Sequence, residues 1–236
     1  MIGPDRQSAP RSPMKRVSVI ATFHAEVGLV TAAALEAIVS RLEPDVVFLE
    51  CPPEALERYL HGDIDSPESV VARQFDAEGR VALVPVDLPT PDASFFWEHE
   101  KLIGRVERRN RDFRNLSDLQ RHNVRAYGFP YLNSDASDTL LTMIEEETRA
   151  AVEMYADPVL NEAHALWNRH KQDREEGMMQ AIESYCAQHG VCRGAFMIGA
   201  AHRKALMESA KSRADASQGV PRWDFAVVAG PLDGAA

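Results

Sequence analysis

Cysteine is scarce in this chain of 236 residues: Cys51, Cys186 and Cys192 are the whole complement. An odd count with no close pair excludes a disulfide framework and points to reduced thiols in a cytoplasmic setting. Long apolar runs are missing as well, since no stretch approaches the roughly 20 apolar residues of a membrane-crossing helix. The run from Val17 ends at Phe23 and meets His24 and Glu26, which is too short for the apolar core of a secretory signal. Basic residues are outnumbered, 26 Lys and Arg against 36 Asp and Glu, for a net charge of −10. That balance argues against general nucleic-acid binding. The expected partner is therefore a small molecule or peptide, with no nucleic acid and no membrane; a homo-oligomer is left open.

What is present is the composition of an ordinary globular chain, long enough to bury about 70% of its unfolded surface without staples. Residues 1–14, rich in Pro and Ser, read as a disordered tail, and 15–236 as a single domain. Val17–Phe23 reads as a strand delivering His24. Thr31 is a helix cap, and Leu35, Ile38, Val39 and Leu42 recur at helical spacing until Pro44. Asp45–Leu49 is a continuous apolar run ending in Glu50, the signature of a strand covered on both faces. A helix from Glu54 to about Leu60 then leads through a polar loop to Val81–Val86, a third strand ending in Asp87. Pro85 cannot donate to a ladder and places that strand at an edge.

Residues 89–136 differ from this plan. Between Lys101 and Arg125 there are eight basic and three acidic residues, with Phe95, Phe96 and Trp97 before them. The segment reads as a helical insertion, a cap over a site. Ser137 opens the next helix. Asp157-Pro158 caps a long one that ends at Gly190. Gly194–His202 reads as a buried strand that delivers a second histidine, followed by a helix from Arg203 and a last strand near Phe225–Ala229. The expected fold is α/β, a mostly parallel sheet flanked by helices.

Ligands of open parallel sheets bind beyond the carboxyl ends of the strands. Four such ends carry His24, Glu50, Asp87 and His202, and Glu26 lies two residues beyond His24. Two imidazoles with a carboxylate are a ligand set for a divalent ion, and His24, Glu50 and His202 are the candidate ligands of manganese, cobalt, zinc or iron. The same groups can act without metal as general acid and base. Arg174 falls on the apolar stripe of the long helix, where a guanidinium calls for a buried partner: an anionic intermediate, a site carboxylate, or its neighbours Asp173 and Glu175. Cys51 reads as a structural thiol.

Ala21-Thr22-Phe23-His24 and Gly199-Ala200-Ala201-His202, with Pro44–Glu50 and the helical segment Asp173–Ile182, resemble the motifs of the TraB/PrgY/GumN and Tiki family. That family lies in a wider clan with ChaN-like and erythromycin-esterase-like proteins. The resemblance covers roughly residues 17–87 and 138–210 and leaves 89–136 unexplained. Ala21 stands where the family has glycine, which matters if that position needs a positive φ. The resemblance implies His24, Glu50, His202 and Arg174 as site residues. It also implies a reaction class, since Tiki-type members are metal-dependent proteases and esterase-like relatives hydrolyse a lactone with histidine. ChaN-like relatives bind haem, and other members inhibit peptide pheromone signalling. The expected function is hydrolysis of an amide or ester bond with a divalent metal. The alternatives are a metal-free histidine esterase and a non-catalytic haem, small-ligand or peptide binder.

Overall fold

The computed structural model describes residues 15–79, 81–190, 193–214 and 221–228. The expected disordered tail at 1–14, Cys192 and the end of the last expected strand lie outside them. Five parallel strands form one sheet: β1 (Arg16–Thr22), β2 (Val46–Leu49), β3 (Ala82–Pro85), β4 (Arg193–Gly199) and β5 (Arg222–Asp224), in the order β3-β2-β4-β1-β5. Among the described residues eight α-helices accompany them: α1 (Ala32–Arg41), α2 (Leu56–His61), α3 (Pro67–Glu78), α4 (Ala93–Arg109), α5 (Arg111–Leu132), α6 (Asp135–Tyr155), α7 (Pro158–His189) and α8 (Ala200–Ala214). The α/β class and the parallel sheet are as the sequence predicts, and β3 with Pro85 is an edge strand.

Side-chain parity explains the layers. Along β2, Val47 and Leu49 enter one apolar core with Leu35 and Val39 of α1 and Val71 of α3. Val46 and Phe48 enter the opposite core with Met178 and Ile182 of α7 and Leu206 of α8. Helices therefore cover both faces of the sheet, and its strands read as unbroken apolar runs for that reason. A third core, with Leu102, Val106, Phe113 and Leu160, joins α4, α5, α6 and α7.

Register brings the strand ends level. Thr22 lies opposite Gly199, Leu49 opposite Met197, and Pro85 opposite Leu49. The end of β1 is held by a side chain. β5 pairs with β1 only as far as Ser18, so Ala21 lacks a strand partner on that side. Asn133, at the end of α5, replaces it: Ala21 N donates to Asn133 Oδ1 at 2.8 Å, and Asn133 Nδ2 donates to Ala21 O at 2.9 Å. Ala21 is fully buried, and its φ is not positive; among the described non-glycine residues only Glu43 and Ala156 have positive φ. Alanine at this position therefore brings no backbone strain.

Several boundaries differ from the sequence reading. The polar loop expected before β3 contains α3. Ser66 Oγ accepts from Ser69 N and Ser69 Oγ from Ser66 N, at 3.2 and 3.1 Å, and Pro67 takes the first helical position. α6 is capped by Ser134, not Ser137. α8 starts at Ala200, because two alanines after Gly199 let a helix begin directly on the strand, and His202 sits in its first turn. The last strand lies at Arg222–Asp224, earlier than the apolar run. Arg222 N donates to Lys15 O at 2.8 Å, and Arg16 pairs with Asp224, so polar contacts set its register. The expected cap at 89–136 divides in two: α4 packs on α7 and through Phe96 lines the cavity that holds Asp87 and His202, whereas α5 packs on α6 and β1 as scaffold. α5 turns sharply at Gly128 (φ 61°, ψ −142°), where a Cβ would stand 3.0 Å from Leu29 Cβ.

Candidate active site

Glu50, directly after β2, is the centre of the polar cluster at the strand ends. Its Oε2 accepts from Gly199 N at 2.5 Å, which places a carboxylate at the amino end of α8, where the helix dipole favours it. Its Oε1 accepts from Arg174 Nη2 at 2.6 Å. The two predicted histidines approach from either side: His202 Nε2 lies 3.4 Å from Oε1 and His24 Nε2 lies 3.8 Å from Oε2. Burial alone would raise the Glu50 pKa. The hydrogen bond and charge of His202, with the charges of His24 and Arg174, override it and hold the carboxyl at about 2.

Each imidazole is fixed at its other nitrogen by a buried carboxylate that the sequence reading missed. His24 Nδ1 lies 3.0 Å from Glu68 Oε1, and His202 Nδ1 lies 2.8 Å from Glu175 Oε1. Such partners set the tautomer and leave Nε2 facing the site. The Glu68 hydrogen bond raises the His24 pKa against the effect of burial. Burial acts to lower that of His202, but Glu175 and Glu50 bring it above the ordinary histidine value. The two rings differ in access: the His24 side chain is 60% exposed, that of His202 8%. Glu68 was legible through Ser66-Pro67, the same cap-and-proline signal that marks Asp157-Pro158. Glu175 sits beside Arg174, where the sequence allows a local ion pair instead.

Arg174 makes no contact of that kind. Its guanidinium grips Asp87, with Nε to Oδ1 at 2.9 Å and Nη2 to Oδ2 at 2.7 Å, while Nη2 also serves Glu50. The fork geometry suits this bidentate grip. Nη1 has one long contact among the described residues, 3.5 Å to His202 Nε2, and keeps a donor for a ligand. Asp87 thus anchors an arginine and is not placed as a base. Glu26 is a correction as well: its Oε1 accepts from Ala32 N at 2.6 Å, beside the Thr31 cap of α1, and among the described residues it has no hydrogen bond or ion pair to the cluster. Cys51 is buried, and burial with nearby carboxylates raises its thiol to about 12, so it is no nucleophile.

The cluster therefore holds Glu50, Glu68, Asp87 and Glu175 against the single guanidinium of Arg174. With neutral imidazoles it carries three excess negative charges, of which two imidazole protons or one divalent cation would offset two. The donor types fit a cation: two Nε2 atoms and a carboxylate, with outer carboxylates on both rings. Among the described residues, however, no three His, Cys, Asp or Glu side chains surround one point closely enough to share an ion. A cavity of about 290 Å³ opens onto Arg174, His202 and Asp87, walled by Phe96 of α4 and Trp167 of α7. No helix among the described residues is long and apolar enough to cross a membrane.

Fold and cluster together define a parallel α/β protein with a polar site at the carboxyl ends of its strands. Comparison with family models, with curated proteins and with solved structures found no match to this chain.

Proposed function

We propose that this protein is a hydrolase of carboxylic ester or amide bonds, with His24, Glu50, Arg174 and His202 as its working groups. The observation that carries this reading is the arrangement of the two histidines. Both present Nε2 to Glu50, and both are held at Nδ1 by a buried carboxylate. His24 is the exposed ring, and its Nε2 has no hydrogen bond within the cluster, so it is the general base for an attacking water. Glu68 orients the ring and stabilises its charged form. Arg174 Nη1 and the buried His202 receive the negative charge that develops on the carbonyl oxygen. Glu50 holds both groups in place. The resemblance of the histidine motifs to the TraB and Tiki family supports the same reaction class.

A second reading keeps the groups and adds a divalent ion, manganese, cobalt, zinc or iron, held by His24, Glu50 and His202. The carboxylate behind each imidazole and the excess negative charge favour it. Such an ion supplies a bound water of pKa near 7 and polarises the carbonyl. The test is turnover of a panel of chromogenic esters, lactones and anilides, with chelator and with each metal restored. Turnover that survives chelation supports the metal-free form, and turnover that returns with one metal supports the second. Absence of hydrolysis under every condition would sink both. Replacing His24 by alanine is expected to lower kcat by about 10²–10⁴-fold, the range for a lost general base.

A further inference from the structure

The cavity beside Arg174 is built of more than the cluster. Its wall is aromatic, and this wall is not demanded by folding: neither Phe96 nor Trp167 belongs to any of the three apolar cores. Phe96 is 37% exposed and with Trp167 faces the cavity. The wall is nonetheless ordered. His99 stacks on Trp167 with centroids 3.5 Å apart and an interplanar angle of 8°, and Phe95 lies nearly parallel to Trp167 at 5.5 Å. Phe96 stands edge-on to Phe95 at 5.4 Å. Packed this way, the rings present a fixed apolar surface, which lowers the entropic cost of receiving a flat ligand.

Charge sharpens the class of ligand. Burial brings His99 down to about 4 and also lowers His170, so the wall is uncharged at neutral pH. Lys171 also lines the cavity, but it pairs with Glu145. The cation left for a ligand is Arg174, through Nη1. The volume of about 290 Å³ lies at the lower end for ligand sites and suits one ring system with its carbonyl.

We infer that this cavity is the acyl subsite of the centre, and that it receives a flat, uncharged aryl group attached to the carbonyl of an ester or amide. The assignment rests on the hydrolase reading for its chemistry. Water adds across the bond: its oxygen bonds the carbonyl carbon, the bond to the leaving oxygen or nitrogen breaks, and that atom takes one of the water's two protons. The other is taken by His24 and passes to solvent, or to the amine when an amide is cleaved, so the acid leaves as a carboxylate, which pairs with Arg174 while its ring lies against Phe96.

Binding of the product tests the subsite apart from turnover. Calorimetric titration of the full chain with 2-naphthoate, with N-acetylphenylalaninate and with hexanoate compares a rigid aryl acid, an aromatic amino-acid acid and an aliphatic one. Expected is one site that prefers an aryl acid to hexanoate by tenfold or more. Phe96→Ala, at a partly exposed position outside the cores, should erase about tenfold of that preference, and Phe96→Tyr should retain it. Stronger binding of 2-naphthoate than of N-acetylphenylalaninate is expected, since only there is the ring bonded to the carboxyl carbon; the reverse order overturns an aryl group on the carbonyl and marks a peptide instead. Equal binding of hexanoate, or no effect of Phe96→Ala, overturns the subsite. If aryl acids bind but no aryl ester is cleaved, the hydrolase reading fails and the pocket stands. If acetyl esters are cleaved without aryl preference, the reverse holds.

Discussion

Two carboxylates that do not line the cavity at Arg174, Glu68 and Glu175, decide how the histidines act. Replacing Glu68 by glutamine removes the carboxylate whose hydrogen bond, and to a smaller degree charge, raises His24. The apparent pKa of the rising limb of kcat/KM against pH should then fall, and kcat should fall with it; an unmoved pH profile would assign Glu68 to packing alone. Arg174 carries a different load. Glu50 and Asp87 have side chains 8% exposed and share its Nη2. Replacing Arg174 by methionine leaves two buried carboxylates facing each other, at a cost of about 3–5 kcal/mol, the range for breaking a buried ion pair. Denaturant unfolding measures this. Glu26 supplies the contrast: its carboxylate accepts from Ala32 N at the start of α1 while Thr31 is the cap, so its change to alanine should cost about 0.5–1.5 kcal/mol, the worth of one hydrogen bond, and leave turnover of the folded protein intact.

Elements place these groups, and close approaches of backbone fix the elements. Gly199 ends β4 where an added Cβ would lie 2.8 Å from His24 Nε2 and 3.3 Å from Glu50 Oε2. Gly199→Ala should therefore displace His24 and lower kcat while the chain still folds, since no positive φ is needed there. Chemical shifts of the His24 ring and a chromogenic ester assay read the two effects. Gly28 is a backbone case. It has φ +55°, and a Cβ would stand 2.1 Å from Arg125 O, so alanine there should push the loop after β1 away from α5. Asn133→Ala should free the end of β1 in the same region, costing about 1–3 kcal/mol for a buried backbone pair left unsatisfied.

For the whole molecule, these shifts give stability two pH limits. Glu50 falls from 4.5 to about 2 on folding, so its contribution is complete above 4.5 and is lost as pH drops toward 2. His24 and His202 rise from 6.5, so theirs is complete below 6.5 and is lost as pH climbs through the folded values. Melting temperature should therefore peak between about pH 4.5 and 6.5. Glu50→Gln should weaken both limbs, because it removes a carboxylate and the partner of both imidazoles. A melting temperature flat from pH 3 to 9 in the parent chain would contradict this coupling.

The sequence by itself determined the parallel sheet, through apolar runs that fit only strands buried on both faces. It also determined the strand-end positions of His24, Glu50 and Asp87, and the odd placement of Arg174 on an apolar stripe. These are local signals, written in periodicity and in single residues that break it. Tertiary structure decided the rest. β4 lies between β1 and β2, so residues about 150 positions apart meet at Glu50, a pairing that no local pattern encodes. Glu68 reached His24 only because α3 forms and packs against α1, and Glu175 faces His202 only because α8 starts one residue after the strand. The same packing turned Asp87 from a candidate base into an anchor, and left Glu26, adjacent in sequence, outside the cluster.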